Sequence, residues 1–436
     1  MNMEINMELL DFIEKCPSSF HTVLTIAGIL SEMGYIRLNE GEKWSLKEGE
    51  NYFVTRNNSS IIAFKVPAKS YKGFLITASH GDAPAFKVKP EPELLTEGCY
   101  VKLNTEKYGG GIHSSWLDRP LSIAGRITVK TDKGIETRLI NIDKDLLLIP
   151  SLAIHMNREV NKGVELNAQI DMLPLFGDET AKEGFLATIA ETGKTQPDAI
   201  LGGDLLIYCR SKGTLWGKNR EYISSPRLDD LQCAFGTLKG FLNSDTKGSL
   251  PVYCVLDNEE VGSGTKQGAK STFLNDVLKR ISYALEKTEE EYLCALSSSF
   301  MISADNGHAV HPNHPEKADP NCRPKMNGGI LLKYNANQKY TTDAVSEAIV
   351  RQICQKAGVP VQEYVNRSDV AGGSTLGNLA VESVSINCAD IGLAQLSMHS
   401  AYETAGSYDT EYLIKMTTEF YSSSITALND GDYEIK

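Results

Sequence analysis

The pattern of hydrophobic and polar positions changes character twice along the chain, near residues 90 and 217. Outside these points, apolar runs of strand length alternate with amphipathic segments of helix length, as in "GFLITAS", "PVYCVLD" and "TTDAVSEAIVRQICQKAGV". Runs that are apolar at nearly every position are typical of strands covered on both faces. The alternation predicts an α/β fold with a mixed, largely parallel sheet flanked by helices.

Between the two points the texture is that of an all-β segment. Short runs such as "RITVKTD" and "IETRLINI" are joined by turns that contain Asp, Lys and Gly. A chain of 436 residues is also longer than one simple core usually accommodates. We therefore predict a β-rich domain at 91–216, inserted into an α/β domain assembled from 1–90 and 217–436.

Composition and charge exclude several classes of protein. The net charge of -12 argues against binding to nucleic-acid backbones, and no apolar run is long enough to cross a membrane. The first residues carry acids early and have no basic segment, so we expect no signal peptide. Nine scattered cysteines without a C-x-x-C pair are typical of reduced thiols, which favours a cytoplasmic location.

Acids and histidines follow the ends of apolar strands, or lie in their loops, at five places. The segments are "SHGDAP", "PRLDDL", "LDNEEVGS", "SADNGHAVHPNH" and "SMHSAYE". In α/β sheets, ligands bind in loops at the carboxyl ends of the strands. Each segment alone is a weak signal, since a solvated strand end explains a single Glu-Glu pair equally well.

Taken together, the five segments have the composition of a binuclear metal site. Two imidazoles and three carboxylates suit a pair of borderline divalent cations such as zinc. Two neighbouring ions need one carboxylate that bridges them, and each ion needs an imidazole and a carboxylate of its own. A further carboxylate must accept the proton of the attacking water. Two histidines, two aspartates and one glutamate of these segments match the ligand count, and one spare glutamate is the further carboxylate.

These blocks, in this order, resemble the aspartyl aminopeptidase family of dinuclear zinc metallopeptidases. The resemblance extends over essentially the whole chain and includes "PSSFHTV", "YGGGIHSSWLDRPLSIAGRI", "IPSLAIHMNR", "KYNANQKY" and "GGSTLGN". It implies a hydrolase that removes the N-terminal residue of peptides, with a preference for Asp or Glu as the open question. It also implies that 1–90 and 217–436 form the catalytic domain and that 91–216 is a dimerisation domain.

The resemblance assigns a ligand set to two divalent ions per subunit, zinc first, with cobalt and manganese as alternatives. Asp229 would bridge the two ions. The remaining ligands divide between the ions, His80 and Asp305 on one, Glu260 and His399 on the other.

Two further acids receive catalytic roles from the same motifs. Glu259 would be the general base, and Asp82 would orient the imidazole of His80. Gly81 and Ala83 depart from the family pattern, which has Thr and Ser beside this aspartate. We expect metal binding to persist with fewer supporting hydrogen bonds.

The family pattern also implies substrate contacts and an assembly. His308, Lys333 and Tyr340 would line the substrate pocket, and His155 would reach into the site of a neighbouring subunit. The expected assembly is a homo-oligomer built on dimers, a dodecamer in this family.

Three other interpretations compete with the aminopeptidase. "GSGTKQGAKS" has neither P-loop nor G-x-G-x-x-G spacing, which argues against nucleotide binding. A non-catalytic scaffold of the same fold is disfavoured by the complete ligand set. A related carboxypeptidase or deacylase stays open, although "PRLDDL" and "DNEEVGS" favour the aminopeptidase.

Overall fold

The computed structural model describes residues 3–436. Its α-helices are α1 (Met3–Glu14), α2 (Ser19–Glu32), α3 (Phe185–Thr192), α4 (Leu228–Asn243), α5 (Phe273–Ala284), α6 (Glu289–Ser297), α7 (Ala344–Ala357), α8 (Leu376–Ala380) and α9 (Asp409–Ser422). Its strands are β1 (Ile36–Leu38), β2 (Asn51–Arg56), β3 (Ser60–Lys65), β4 (Phe74–His80), β5 (Ala85–Thr96), β6 (Tyr100–Tyr108), β7 (Leu121–Thr131), β8 (Gly134–Asn141), β9 (Leu175–Asp178), β10 (Ile200–Cys209), β11 (Thr214–Trp216), β12 (Tyr222–Ser225), β13 (Leu250–Leu256), β14 (Phe300–Ala304), β15 (Gly307–His308), β16 (Ile330–Lys333), β17 (Val361–Tyr364), β18 (Asn387–Gly392), β19 (Ala394–Leu396), β20 (Glu403–Gly406), β21 (Ile425–Asn429) and β22 (Asp432–Ile435).

A nine-stranded sheet forms the centre of the fold, in the order β1-β2-β3-β13-β4-β14-β18-β16-β17. The pairs β13–β4, β4–β14 and β14–β18 run parallel, as do the outer pairs β1–β2 and β16–β17. The pairs β2–β3, β3–β13 and β18–β16 are antiparallel. The predicted α/β fold with a mixed, largely parallel sheet is thus confirmed.

Helices bury both faces of this sheet, and the side-chain period of two divides each strand between two cores. On β3, Ile61 and Ala63 belong to a core with α1, α4, α7 and α9. The intervening Ile62 and Phe64 belong to a second core, with α5 and α6. This double burial explains why the central strands are apolar at nearly every position. Within residues 3–436, no helix has the length and apolarity that a membrane crossing requires.

A six-stranded antiparallel sheet with its own core lies between β4 and β11 in the chain. Its order is β8-β7-β10-β5-β6-β9, and its core includes Ile123, Ile127 and Ile207. The sheet begins with β5 and ends with β10, while β11 pairs with β12 in a separate five-stranded sheet. The domain boundaries at 91 and 216 stay a prediction.

Candidate metal centre

The carboxyl ends of three adjacent parallel strands meet at one edge of the large sheet. His80 ends β4, Asp305 follows β14, and the 3₁₀ turn Glu259–Val261 follows β13. Asp229 lies in the first turn of α4, and His399 lies between β19 and β20. Five segments that are distant in sequence therefore converge on one place.

Four short separations define the cluster. Nε2 of His80 lies 3.5 Å from Oδ1 of Asp229 and 3.9 Å from Oδ1 of Asp305. Nε2 of His399 lies 3.4 Å from Oδ2 of Asp229 and 3.4 Å from Oε2 of Glu260. The two oxygens of Asp229 therefore face different imidazoles.

Both imidazoles are held by backbone carbonyl groups on their far side. Nδ1 of His80 lies 3.0 Å from the carbonyl oxygen of Asp82, and Nδ1 of His399 lies 3.0 Å from that of Gly110. A carbonyl oxygen only accepts, so each Nδ1 carries a proton, and the Nε2 of the neutral ring has a lone pair for a cation that lies between it and the carboxylates. Two ligands of one tetrahedral zinc ion, at its usual bond lengths, are about 3.4 Å apart. The side chains present therefore fit a divalent cation between them.

Unpartnered oxygens and charge repulsion point to the same cation. Oδ1 of Asp229, Oδ1 of Asp230 and Oε1 of Glu260 are buried without a hydrogen-bond partner. Burial, with repulsion from Asp229, raises the pKa of Asp305 to about 6. Burial, with repulsion from Asp305, raises the pKa of Glu259 to about 8. Buried carboxylates without compensating charge are costly, and a bound cation supplies that charge.

Two triads of side chains bring candidate ligand atoms close enough for one metal ion. Their ligand atoms lie within 4.8 Å of one another. One consists of His80, Asp229 and Glu260, and the other of His80, Asp230 and Asp305.

The backbone N–H groups of the two adjacent glutamates share one hydrogen-bond acceptor. The carboxylate of Asp82 accepts the backbone N–H of Glu259 at 3.1 Å and that of Glu260 at 3.2 Å. Tyr108 donates its hydroxyl to the same carboxylate at 2.6 Å. The preceding Asn258 has a left-handed backbone, with φ of 64°, which ends the alternation of β13. Within the described chain, the side chain of Glu259 forms no hydrogen bond or ion pair, so its carboxylate is available for a proton.

Asp82 contacts His80 through its backbone and its side chain. The carbonyl oxygen of Asp82 lies 3.0 Å from Nδ1, and its carboxylate oxygen lies 3.5 Å from the same atom. The carboxylate is also hydrogen-bonded to the glutamate turn, and its role in orienting the imidazole stays a prediction.

Lys333 lies next to the cluster, and Tyr340 lies next to Lys333. The side chain of Lys333 is 2% exposed, and its Nζ donates to the carbonyl of Asn306 at 2.9 Å. The same Nζ lies 3.7 Å from Oδ2 of Asp305 and 5.4 Å from the ring centre of Tyr340. The lysine thus provides a positive charge directly beneath a predicted metal ligand.

The two remaining predicted substrate residues lie apart from each other. His308 is exposed, and its ring centre is 6.4 Å from that of Tyr364, which in turn packs on Tyr340. His155 is exposed in the segment between β8 and β9, where residues 151–159 form neither helix nor strand. Within the described residues it forms no hydrogen bond or ion pair with the cluster.

Sequence reasoning missed two acids that touch the predicted ligands. Oδ2 of Asp230 accepts the backbone N–H of His80 at 3.1 Å. Glu403 accepts the backbone N–H of Asp229 at 2.9 Å and that of His399 at 2.7 Å. Burial raises the pKa of Glu403 to about 8. Both acids lie inside the motifs "PRLDDL" and "SMHSAYE", and a second acid within four residues of a predicted ligand was the available signal.

Comparison with known proteins identifies the family. Residues 12–421 match the family described as Aminopeptidase I zinc metalloprotease (M18). A relative from Clostridium novyi (strain NT), "Probable M18 family aminopeptidase 2", is 46% identical over 423 residues, which are 95% of this chain and 98% of the relative.

Solved structures agree with this match. The structure described as "Cryo-EM structure of the Ape4 and Nbr1 complex" has a TM-score of 0.93 at 34% identity and covers 96% of this chain and 85% of that chain. "Structure of S. cerevesiae mApe1 dodecamer" has a TM-score of 0.85 at 28% identity, with 97% of both chains covered. Similarity over nearly the whole length shows that the chain belongs to the M18 family of zinc metalloproteases and is a metal-dependent aminopeptidase.

Proposed function

We propose that the protein removes the N-terminal residue of peptides at a centre that holds two divalent metal ions. The observation that carries this proposal is the Asp229 carboxylate, whose two oxygens face His80 and His399 separately at 3.5 and 3.4 Å. A site for a single ion would use one of these faces and leave the other imidazole without a cation. Zinc is the first candidate, and cobalt and manganese are the alternatives.

The clustered side chains divide between the two proposed ions, with Asp229 as the shared ligand. His80 and Asp305 would complete the first set, and Glu260 and His399 the second. When bound, the ions would polarise the scissile carbonyl and lower the pKa of the attacking water.

Glu259 is the general base of the proposed reaction. Its half-buried carboxylate has no hydrogen-bond or ion-pair partner within the described chain, so it can take a proton from water and deliver it to the leaving amine. Asp82 holds both backbone N–H groups of the glutamate turn and thereby keeps Glu259 in place beside Glu260. The proton transfer and the metal ligation are thus assigned to adjacent residues.

We propose that the first residue of the substrate is acidic. A cavity of about 440 Å³ beside Tyr364 is lined by His308 and Lys317, and within the described residues neither forms an ion pair. Arg367 and His314, which also line the cavity, are paired with nearby acids. Burial lowers the pKa of His308, so the unpaired positive charge is that of Lys317, and such a charge in a concave site favours a carboxylate side chain.

We further propose a homo-oligomer built on dimers and extended to a dodecamer. The segment with His155 exposes Leu152, Ile154 and Met156, whose exposed fractions are 56, 48 and 74%. Clustered exposed apolar side chains mark interaction surfaces, and the related S. cerevesiae protein is described as a dodecamer. His155 would then serve the site of a neighbouring subunit.

All nine cysteines are free thiols, which supports a reducing compartment such as the cytoplasm.

A hydrolysis screen tests the activity. Aminoacyl chromogenic amides are supplied with zinc, cobalt or manganese, beside peptides that carry a blocked N-terminus. We expect cleavage of the aminoacyl amides, greatest for Asp and Glu, and none of the blocked peptides. Cleavage of the blocked peptides from the C-terminus would establish the carboxypeptidase alternative. No turnover with any metal would favour the scaffold.

A further inference from the structure

A second cavity adjoins the metal centre. It has a volume of about 300 Å³, and Asp82, Asp229 and Glu403 form part of its wall. Among the described residues, it shares no lining residue with the cavity beside His308. It therefore offers space next to the bridging ligand that the proposed pocket for the first substrate residue does not use.

Arg227 lines this cavity without a carboxylate partner. Nη2 donates to the carbonyl of Ile13 at 3.2 Å, and the guanidinium lies 5.6 Å from the ring centre of Tyr208. Nε is buried and has no hydrogen-bond partner. Within residues 3–436 Arg227 forms no ion pair, although a guanidinium stays charged under all physiological conditions.

The other cations that line the same cavity are paired with an acid. Arg126 donates to Asp204 at 2.9 Å and to the carbonyl of Asn57 at 2.8 Å, and Lys87 also pairs with Asp204 at 2.9 Å. Arg227 differs from Arg126 because it has no such acid. Burial also lowers the pKa of the Arg227 guanidinium, as expected for a cation removed from water.

Glu403, a carboxylate whose charge acts on Arg227, is hydrogen-bonded to other groups. Glu403 accepts the backbone N–H groups of Asp229 and His399, and it forms no ion pair with Arg227 in the described chain. A guanidinium that lines an open cavity without an acid partner favours an anion there.

The backbone of Arg227 supports a functional reason for its position. Its φ of 57° is left-handed, a conformation that residues with a side chain adopt rarely. Such residues cluster at binding and catalytic sites. Arg227 immediately precedes α4 and stands two positions before Asp229, so its placement is tied to that of the proposed bridging ligand.

We propose that Arg227 binds a carboxylate carried by the leaving portion of the substrate. The carboxylate is either the C-terminus of a short peptide or an acidic side chain at the second position. This inference rests on the proposed aminopeptidase activity. A cavity of about 300 Å³ accommodates one or two residues, and a guanidinium forms charge-assisted hydrogen bonds with a carboxylate.

Three matched dipeptides test the inference, all with the N-terminal residue that the enzyme cleaves best. The first has alanine with a free C-terminus, the second has alaninamide, and the third has aspartic acid amide. For the wild type we expect kcat/KM to be about tenfold higher for a peptide with the recognised carboxylate than for the alaninamide. Preference for the first peptide identifies the C-terminus as its source, and preference for the third identifies the side chain.

Variants assign the preference to the residue. Arg227→Gln should abolish it while the alaninamide is still cleaved, and Arg227→Lys should keep part of it. Arg126→Gln is the matched control, because Arg126 lines the same cavity but is paired, and it should keep the preference. Metal content is measured for each variant.

The outcomes separate the two proposals. A wild-type enzyme that cleaves none of the dipeptides, nor any aminoacyl amide, overturns the proposed function. One that cleaves all three equally overturns only the inference about Arg227. Equal losses for acid and amide substrates in Arg227→Gln also overturn it, and where that variant does not fold, Arg227→Lys and the wild type decide.

Discussion

The backbone N–H of Glu259 donates a hydrogen bond to the carboxylate of Asp82 at 3.1 Å. The two residues are 177 positions apart in the sequence. This contact ties the loop after β4 to the turn after β13. Because Glu260 donates its N–H to the same carboxylate, neither glutamate continues the alternation of the strand. One side chain can then face a metal ion while its neighbour stays free for proton transfer.

Replacing Glu259 by glutamine should separate proton transfer from metal binding. The amide keeps the size of the side chain but cannot accept a proton, and loss of a general base costs about 10²–10⁴ in rate. We expect a kcat lower by that factor, with metal content unchanged, measured on the purified variant by kinetics and metal analysis. Turnover close to wild type with metal bound would remove Glu259 from the mechanism.

Glu260→Gln is the matched substitution one residue along the chain. Here we expect metal content to fall, because a neutral amide oxygen is a weaker ligand than a carboxylate and Oε2 lies 3.4 Å from Nε2 of His399. Titration of the apo-protein with zinc, followed by metal analysis, measures the loss. If instead Glu260→Gln retains metal and Glu259→Gln loses it, the two roles are reversed.

Tyr108→Phe tests the support of the glutamate turn. The hydroxyl of Tyr108 donates to Asp82 at 2.6 Å and accepts from Asn258 at 2.9 Å. A hydrogen bond to a charged group contributes about 1.5–3 kcal/mol, and this one is lost. We expect a lower denaturation midpoint and a lower kcat. Tyr100→Phe, on the same strand but half exposed, is the control and should change neither.

The large sheet could be predicted because its strands are buried on both faces, which produces the apolar runs read from the sequence. The site could be predicted only as motifs. Each histidine and acid was recognised from its neighbours in the chain. Glu403, by contrast, accepts a hydrogen bond from the backbone of Asp229, which is 174 positions away. Contacts made by backbone groups, such as the carbonyl of Asp82 on His80, have no side-chain signature.

The burial of Lys333 could not be predicted for a related reason. A lysine after "GGILL" is typical of a strand that ends in solvent. In the structure its Nζ is buried 3.7 Å from Oδ2 of Asp305. Lys333 ends β16 and Asp305 follows β14, so the two residues belong to different strands. Long-range ion pairs of this kind are set by tertiary packing and leave no local pattern.

Lys333→Ala should therefore lower kcat/KM for aspartyl and leucyl substrates alike. Removing the ammonium group leaves the buried carboxylate of Asp305 without its positive neighbour at 3.7 Å. Parallel kinetics on the two substrates, with metal analysis, provide the measurement. The exposed Lys339→Ala is the control. A loss confined to aspartyl substrates would instead support the substrate role predicted from the family motif.

His21 should make the stability of the protein depend on pH. Its ring is 8% exposed and Nδ1 lies 2.8 Å from Oγ of Ser18. Burial, with repulsion from Arg227, lowers its pKa from 6.5 to about 4. Between these values the unfolded chain binds the proton and the folded chain does not, so this contribution to stability is present above pH 6.5 and is lost as pH falls towards 4.

The upper limit of the effect is about 3 kcal/mol, from a pKa difference of about 2.5. We expect the denaturation midpoint of the wild type to fall between pH 7 and pH 5 more steeply than that of His21→Gln, which does not titrate. His314→Gln removes an exposed histidine, with 63% of its side chain accessible, and should behave as the wild type. Parallel curves for the wild type and His21→Gln would show that the buried imidazole does not control stability in this range.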